Sequence, residues 1–302
     1  MLGLTILGSN SAIPAFNRHP TAQILTLQDQ LFLIDCGEGT QMQMNKYRIR
    51  KSRISKIFIS HLHGDHYFGL IGLLTSMNLL GRKNPLHIYG PPDLEIIIKT
   101  QMEKEHTLFD IHFCALQNSS IEKIVDDTSI EVCAFSTKHS VPCWGFLFKE
   151  KKINRRIDNT QSSLQDIPLR FYKRLQEGED YIKEDGTRIL NDSVTIAGPK
   201  PLSYAFCADT LYDETLLNHI TNIDLLYHET TYLDSLKQKA TERFHSTTKQ
   251  AATLAQKANV KRLLIGHFSS QYEALLPFLE EATSVFSCTD LALEGLTYRL
   301  HQ

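Results

Sequence analysis

Three histidines and one aspartate lie within six residues, in the segment His61-Leu62-His63-Gly64-Asp65-His66. An apolar run precedes this segment, which predicts a strand that ends there and delivers the polar side chains to a loop at a sheet edge. His61 and His63 are two residues apart and point to the same side of an extended chain. The intervening glycine lets the loop turn before Asp65 and His66.

Imidazole and carboxylate groups bind zinc and similar transition metals. The alternation of the segment predicts one metal ion bound by His61 and His63 and a second bound by Asp65 and His66. Two neighbouring metal ions are a recurring device for phosphoester hydrolysis. The alternative is a histidine-rich surface loop without a metal, but the dense spacing directly after a strand favours the metal site.

Further potential ligands occur at three other places where a strand-like run gives way to a loop. These residues are His139, Asp209 and His267. Each of them alone is more often a capping or solvated residue than a ligand. The repeated placement of residues of ligand type favours a shared metal site. Asp209 has two carboxylate oxygens and is therefore the candidate for a ligand that bridges two ions.

Taken together, these features resemble the metallo-β-lactamase fold, and within it the chain is similar to the ribonuclease Z family. The pair formed by His228-Glu229 and His245-Ser246-Thr247 narrows the resemblance to that family. The similarity extends over almost the whole chain and is weakest between residues 150 and 200. The other stretches that support it are residues 7–14, 35–41, 69–74, 228–231 and 245–248.

The resemblance implies two zinc ions per chain, although manganese and iron tolerate the same ligands. The implied ligands are His61, His63 and His139 for the first ion, Asp65, His66 and His267 for the second, and Asp209 as the bridge. Asp65 could also orient or deprotonate the attacking water. His245 is implied as the acid that protonates the leaving oxygen, and Glu229 as the partner of its other ring nitrogen. The alternatives are a helix-cap neighbour without chemistry for His245 and a surface acid for Glu229.

The activity implied by the resemblance is removal of the 3′ trailer from precursor tRNA, with a 3′-hydroxyl left on the tRNA. An acid should accelerate departure of the ribose oxygen by about 10²–10⁴-fold. Family members also use an inserted arm to grip the tRNA, often from the neighbouring subunit of a homodimer. Two alternatives are a zinc phosphodiesterase that acts on small cyclic nucleotides or other RNA, and a metal-holding RNA-binding protein without turnover.

Length and composition are consistent with one large domain. The chain has 302 residues, of which 42% are hydrophobic, and its potential ligands run from residue 61 to residue 267. We therefore expect a single domain over residues 1–302. Six scattered cysteines without a Cys-x-x-Cys pair favour free thiols in a reducing cytoplasm. We expect no signal peptide and no transmembrane helix, because the amino terminus is strand-like and the most apolar stretch is short.

Strand-like and helix-like runs alternate in both halves of the chain. This order predicts an α/β (α+β) fold in which two mixed β-sheets are sandwiched between helices in αββα layering. Strands are expected at residues 4–7, 22–27, 31–35, 56–60, 86–89, 130–135, 146–149, 204–208, 225–228, 262–265 and 296–300. Helices are expected at residues 69–80, 93–104, 213–220 and 247–258, the last with Ser246 as its N-cap.

Residues 149–203 break this alternation and predict an insertion with one helix near residues 168–176. We expect a substrate-binding arm at about residues 149–176. Residues 149–174 carry eight basic and three acidic side chains, so this segment has a charge of +5 within a chain of net charge −2. Residues 46–56 add six basic side chains and no acid. Such runs are often solvated faces, but two of them favour a phosphate-backbone partner, with Lys173 and Arg174 as candidate contacts.

The predicted arm departs from the family pattern. Ile167-Pro168-Leu169 stands where a Gly-Pro element followed by an aromatic residue is usual. This difference concerns how tRNA would be gripped and leaves the metal chemistry unaffected.

Overall fold

The computed structural model of the chain describes residues 2–27, 30–102, 107–117, 121–151, 154–161, 164 and 166–300. Two seven-stranded sheets form the centre of the molecule. The first sheet has the strand order β18-β1-β2-β3-β4-β5-β6. Its strands are β1 (Leu2–Gly8), β2 (Ala22–Leu27), β3 (Gln30–Cys36), β4 (Ile54–Phe58), β5 (Leu86–Gly90), β6 (Ile111–Ala115) and β18 (Thr297–Leu300).

The second sheet has the strand order β17-β16-β15-β14-β9-β8-β7. Its strands are β7 (Glu122–Asp126), β8 (Ile130–Thr137), β9 (Cys143–Glu150), β14 (Ser203–Cys207), β15 (Leu225–Glu229), β16 (Leu263–Gly266) and β17 (Thr289–Leu291). Strands β14 to β17 are mutually parallel, and β9 is antiparallel to both β14 and β8. The carboxyl ends of β8, β14, β15 and β16 therefore lie at one edge of this sheet.

The two sheets pack face to face through an aromatic core. Rings from both sheets meet there, including Phe32 and Phe58 from the first sheet and Phe148 and Phe206 from the second. Phe58 and Phe148 contact edge to face, with ring centroids 5.1 Å apart. Large aromatic side chains bury much apolar area and prefer such tilted contacts, which suits a core between two twisted sheets.

Helices cover the outer face of each sheet. On the first sheet these are α1 (Thr40–Lys46), α2 (Gly64–Tyr67), α3 (Leu70–Leu79) and α4 (Leu94–Gln101), and on the second α7 (Leu217–Ile220), α8 (Lys237–Glu242), α9 (Thr248–Lys257) and α10 (Leu276–Thr283). Two further apolar clusters fill the spaces between helices and sheets. The predicted αββα sandwich is thereby confirmed. Among the described residues, no helix combines the length and apolar character needed to span a bilayer.

The helices predicted from periodicity are found, with differences at their ends. The helix expected at residues 213–220 is a 3-10 turn, Glu214–Leu216, followed by α7. The prediction for Ser246 as N-cap was wrong: Thr247 caps α9 and forms a capping box with Gln250. The hydroxyl of Ser246 instead donates to the carbonyl of Thr210. Residues 103 and 104 of the predicted second helix lie outside the described residues.

Three strands of the two large sheets were not predicted, namely β6, β7 and β17. All three lie at or next to an edge of their sheet. In β6 and β7, for example, only Val125 is fully buried. Edge strands pack on few neighbours, so their residues need no clear alternation of apolar and polar side chains.

The insertion between β9 and β14 is a small unit of its own, residues 154–199, and we keep the name arm for this unit. It contains β10 (Arg156–Ile157), β11 (Tyr181–Ile182), β12 (Arg188–Ile189), β13 (Thr195–Ile196), α5 (Tyr172–Glu177) and α6 (Asn191–Val194). Its core consists of Leu164, Ile167, Leu175, Ile189 and Val194. The predicted helix near residues 168–176 is present as a 3-10 turn and α5, but the unit extends beyond the predicted end at residue 176.

Candidate active site

The candidate ligands meet at the edge formed by the carboxyl ends of the strands. His61 and His63 follow β4, while Asp65 and His66 lie in α2. The other three follow β8, β14 and β16, and they are His139, Asp209 and His267. The backbone N–H of Trp144, at the start of β9, donates to the carbonyl of Ser60 and brings the two sheets together at this edge. All seven predicted ligands are therefore neighbours in space.

The first group of ligands consists of three imidazoles. The Nδ1 atom of His63 lies 3.1 Å from Nε2 of His61 and 3.1 Å from Nε2 of His139. Burial lowers the pKa of all three imidazoles, most strongly that of His61. Neutral imidazole is the form that binds a metal.

The second group combines two imidazoles with a carboxylate. The Nε2 atoms of His66 and His267 are 3.3 Å apart. Oδ2 of Asp65 lies 3.5 Å from the first of these nitrogens and 3.4 Å from the second. The backbone N–H of Ala12 donates to the same carboxylate oxygen at 2.7 Å, which fixes its position.

Asp209 lies between the two groups and turns one oxygen toward each. Oδ2 is 3.7 Å from Nε2 of His61 and 3.8 Å from Nε2 of His139. Oδ1 is 3.6 Å from Nε2 of His66 and 3.3 Å from Nε2 of His267. Burial alone would raise the pKa of this carboxyl group, but the surrounding imidazoles hold it well below its usual value. Asp209 therefore has the geometry of a bridging ligand.

Hydrogen bonds outside the ligand groups fix which ring nitrogen carries the proton. Asp35 accepts from Nδ1–H of His66 at 2.7 Å. The hydroxyl of Ser60 donates to Asp35 and so accepts from Nδ1–H of His61 at 3.0 Å. In the same way, the hydroxyl of Thr231 donates to a carboxylate oxygen and accepts from Nδ1–H of His267 at 2.9 Å.

His139 is fixed by the backbone, because its Nδ1–H donates to the carbonyl of Phe244 at 3.0 Å. In the neutral form of the four anchored histidines, this hydrogen bonding leaves the lone pair on Nε2, which points toward the shared centre. Lone pairs about 3 Å apart repel each other unless a cation lies between them. Oδ1 of Asp209 is also buried, with no hydrogen-bond partner among the described residues. These imidazole nitrogens and carboxylate oxygens together form a ligand set that fits transition-metal ions.

Asp35 is a functional residue that sequence reasoning missed. Its segment supported the family resemblance, but nothing in the spacing connected this aspartate to His66, thirty-one residues later. Its φ of 53° lies in the left-handed region, where a residue other than glycine costs about 1–3 kcal/mol. One feature of the sequence could have identified Asp35, namely an ionisable residue near the end of an otherwise apolar strand.

His245 and Glu229 form a buried pair beside the ligand groups. Nδ1 of His245 donates to Oε1 of Glu229 at 3.0 Å. The same carboxylate accepts from the backbone N–H groups of Thr231 and Ser246, both at 2.9 Å. Glu229 is fully buried, so it is no surface acid. Burial opposes the charged form of His245, but Glu229 outweighs this effect and raises its pKa to about 9.

The geometry would also allow a third grouping of ligand atoms. Asp209, His245 and His267 lie within 4.8 Å of one another, as do the members of the two main groups. The Nδ1 atom of His245 is already bound to Glu229, however, and lies 4.0 Å from Oδ2 of Asp209. This hydrogen bond to the Glu229 carboxylate distinguishes His245 from the five imidazoles of the two main groups, for which the structure shows no such bond.

The predicted substrate contacts lie far from these groups. Lys173 and Arg174 are exposed on α5 of the arm. Nε of Arg174 donates to Glu179 at 2.8 Å, and its guanidinium lies 4.5 Å from the ring centre of Phe171. The positive charge expected for the arm is confined to its first part, because residues 154–199 together carry seven basic and eight acidic side chains.

Comparison with known proteins places this geometry in a family. A family model described as "Anti-Pycsar protein Apyc1" matches residues 2–169. A ribonuclease Z of Parabacteroides distasonis is 39% identical over 97% of this chain and 97% of the relative. A ribonuclease Z of Cytophaga hutchinsonii is 43% identical over 98% of this chain and 95% of the relative.

Among solved structures, the short form of human tRNase Z is similar over 99% of this chain and 100% of its own, with 28% identity and a TM-score of 0.72. The sequence relatives and the structural neighbour therefore indicate the same family over nearly the full length of the chain. The chain belongs, over residues 2–169, to the family of the Apyc1 model and, along its whole length, to the ribonuclease Z family of metal-dependent hydrolases.

Proposed function

We propose that the protein is an endoribonuclease that removes the 3′ trailer from precursor tRNA. The observation that carries this proposal is the full-length relationship to proteins named ribonuclease Z and to human tRNase Z. The cut falls 3′ to the discriminator base and leaves a 3′-hydroxyl on the tRNA and a 5′-phosphate on the trailer. The protein acts in the cytoplasm, which is consistent with six free cysteines.

The resident metal in this proposal is zinc, with two ions per chain. His61, His63 and His139 would hold one ion, Asp65, His66 and His267 would hold the other, and Asp209 would be shared between them. Such ions, when bound, polarise phosphoryl oxygens and lower the pKa of water. The imidazole-rich ligand set and the fixed proton positions on the histidines support zinc over magnesium or calcium, which prefer oxygen ligands.

His245 is the proposed proton donor to the departing ribose 3′-oxygen. Its Nδ1–H is held by Glu229, which leaves Nε2–H of the imidazolium to face the cleft. A pKa raised to about 9 keeps the ring protonated at neutral pH. Glu229 is a positioning residue, because it acts through His245 and does not reach the substrate. Asp65 orients the attacking water, and its pKa is held low by His66 and His267 despite its burial.

The arm binds the body of the tRNA in this proposal, and the protein works as a homodimer. The arm leaves the sandwich at Glu150 and returns at Ser203, at the ends of β9 and β14 opposite the metal ligands. Strand β9 has eight residues, so the root of the arm lies roughly 25 Å from the ligand edge, at about 3.3 Å per residue. This distance favours an arm that serves the active site of a second copy.

A second candidate is a metal-dependent phosphodiesterase with small or other RNA substrates. It is supported by the ligand groups themselves, which lie at an open cleft that a small phosphodiester can enter. The metal ligands alone do not distinguish between phosphodiesters. An enzyme for a small cyclic substrate does not require an inserted arm with its own apolar core, and we therefore prefer the first proposal.

The test is an assay of the purified, zinc-loaded protein on a precursor tRNA with a 3′ trailer, in which both product ends are mapped. We expect a single cut after the discriminator base. An Asp209→Ala preparation, purified in parallel, controls for contaminating nucleases. Hydrolysis of cyclic nucleotides without a cut in the precursor would contradict the proposal and support the second candidate.

A further inference from the structure

The cleft above the metal ligands has a cationic wall that the proposed mechanism does not use. The cleft has a volume of about 620 Å³, and its lining includes the imidazoles of His63, His139 and His245. Two basic residues of the segment that leads to His245 line the same cleft, namely Lys239 and Arg243. Their positions beside the proposed proton donor raise the question of what they bind.

Lys239 and Arg243 share one face of a short helix. Lys239 lies in α8, and Arg243 is the residue that ends this helix. The backbone N–H of Arg243 donates to the carbonyl of Lys239 at 3.1 Å, so the two residues are one turn apart. Side chains four positions apart lie next to each other on a helix surface. Both side chains are exposed, and both face the cleft.

The positive charges of this pair are not neutralised by the protein. Nζ of Lys239 donates to the amide oxygen of Gln271 at 3.1 Å and lies 5.3 Å from the ring centre of Tyr232. Both contacts orient the amine without cancelling its charge, and an ammonium group has further protons to donate. In the part of the chain that the structure describes, no carboxylate forms an ion pair with either cation. Glu242, the acid in the cleft lining, accepts instead from Nε2 of Gln238 at 2.9 Å.

Some lysines elsewhere in the same half of the chain are paired with acids. Lys257 contacts Glu214 at 2.6 Å, and Lys261 contacts Asp224 at 2.5 Å. Lys237, on the same helix as the pair, is exposed and forms no ion pair among the described residues, but it does not line the cleft. Lys239 and Arg243 combine an unpaired charge with a place in the cleft beside His245, where an external anion can reach them.

The cationic wall is also fixed relative to the reacting centre. Phe244, which follows Arg243, has a φ of 59° in the left-handed region. Its carbonyl accepts the hydrogen bond from Nδ1–H of His139, and the next residue is His245. A backbone conformation that costs about 1–3 kcal/mol is thus maintained where it connects the wall to a metal ligand and to the proton donor.

We propose that Lys239 and Arg243 form a subsite for the RNA phosphates that neighbour the scissile phosphate. This inference rests on the proposed function and specifies how the site prefers a polynucleotide. A small diester offers a single phosphate, which the metal ligands and His245 already surround. A polynucleotide offers further phosphates on either side of the cut, and unpaired cations beside the proton donor bind them through charge-assisted contacts.

The first test removes both charges and keeps polar side chains of similar length, in the double variant Lys239→Gln with Arg243→Gln. Lys237→Gln is the matched control, because Lys237 is exposed on the same helix but does not line the cleft. The value of kcat/KM is measured for trailer-bearing precursor tRNA over a series of salt concentrations, and for bis(p-nitrophenyl) phosphate.

For the double variant, we expect the slope of log kcat/KM against log salt to become shallower by about two, one unit for each lost phosphate contact. The loss on the precursor at low salt should be at least about tenfold larger than the loss on the small diester. The control should retain the wild-type slope. An unchanged slope in the double variant, or an equal loss on both substrates, would overturn the subsite.

A second measurement locates the contact. Precursors in which one phosphate next to the cut is replaced by a neutral methylphosphonate are compared in the wild type and the double variant. At the contacted position, the replacement should slow the wild type and have little additional effect in the double variant. Full additivity at every position next to the cut would contradict the assignment.

The proposal of the subsite can be tested independently of the proposed function. If the wild type does not cut the precursor at all, the proposed function is wrong. The subsite is then judged by the salt dependence of binding of a fluorescent single-stranded RNA to both proteins. A shallower slope in the double variant would still support it, whereas identical slopes would refute it.

Discussion

The ligand edge and the arm are built in opposite ways. At the ligand edge, seven side chains come from strand ends of two seven-stranded sheets and from the adjoining helix α2. A second layer of hydrogen bonds from Asp35, Thr231 and Phe244 fixes the rings of His66, His267 and His139. The arm has strands of two residues, and five buried apolar side chains form its core. Chemistry needs side chains held to a fraction of an ångström, whereas binding of a large polyanion tolerates local adjustment.

This difference also predicts which substitutions each region tolerates. A change at the ligand edge leaves a buried charge or lone pair without its partner, and such groups are costly. A change on the surface of the arm alters charge without disturbing a packed layer.

The strongest test of the ligand edge is Asp209→Ala. Loss of the carboxylate that faces both ligand groups should remove most of the bound metal and nearly all activity on every substrate. Elemental analysis of protein purified without chelators should give close to two equivalents for the wild type and much less for the variant. Asp213→Asn is the control, because this nearby acid caps a 3-10 turn and contacts no proposed ligand. Full activity in Asp209→Ala would exclude the bridging role.

A smaller effect is expected for His245→Ala, which removes the proposed proton donor and no ligand. The metal content should stay at the wild-type value, while the chemical step slows by about 10²–10⁴-fold. A substrate with sulfur as the leaving atom needs little protonation and should recover much of the lost rate. Equal slowing on the oxygen and sulfur substrates, or a loss of metal, would show that His245 has another role.

Asp35→Asn tests the layer of hydrogen bonds behind the ligands. The variant keeps the shape of the side chain but loses the charge that accepts Nδ1–H of His66. Substitution of such a partner typically lowers metal affinity or activity by about 10–100-fold. Competition with a metal chelator should therefore strip the variant at lower chelator concentrations than the wild type. Identical stripping curves would mean that Asp35 has only a structural role.

The smallest effects are expected on the arm. Lys173→Glu should raise KM for precursor tRNA and flatten its salt dependence, because a phosphate contact is lost. Arg174→Glu should have less effect on this contact, since Glu179 already pairs with Arg174. The loss should be much larger for the precursor than for a small chromogenic diester, where uniform binding by the arm plays no part.

A different result would point to a role of the arm in assembly. If Phe171, Tyr172 and the flanking charges seal a dimer contact, a variant that combines Lys173→Glu with Arg174→Glu should become monomeric and lose activity on both substrates. Light scattering, measured alongside both rates, distinguishes the two outcomes. An unchanged KM for precursor tRNA in an intact dimer would remove the arm from tRNA binding.

Much of the ligand edge was predictable because local rules act there. An apolar strand followed by a polar loop is visible in the sequence, and at His61, His139, Asp209 and His267 the structure has the ligand within three residues of a strand end. The arm was predicted less well, since its unit runs to residue 199 and its net charge differs from that of the first part alone. Short ribbons and a small core leave little periodicity to detect.

The sequence by itself determined the αββα class, the ligand types and their positions after strands, because these depend on hydrophobic patterning and on residue chemistry. Only the tertiary structure decided that Asp209 faces both ligand groups, that Asp35 holds His66 and that Glu229 is buried against His245. It also decided that Lys239 and Arg243 share the cleft with His245. The widest of these relations joins His61 and Asp209, 148 positions apart, and only strand order and sheet packing bring such residues into contact.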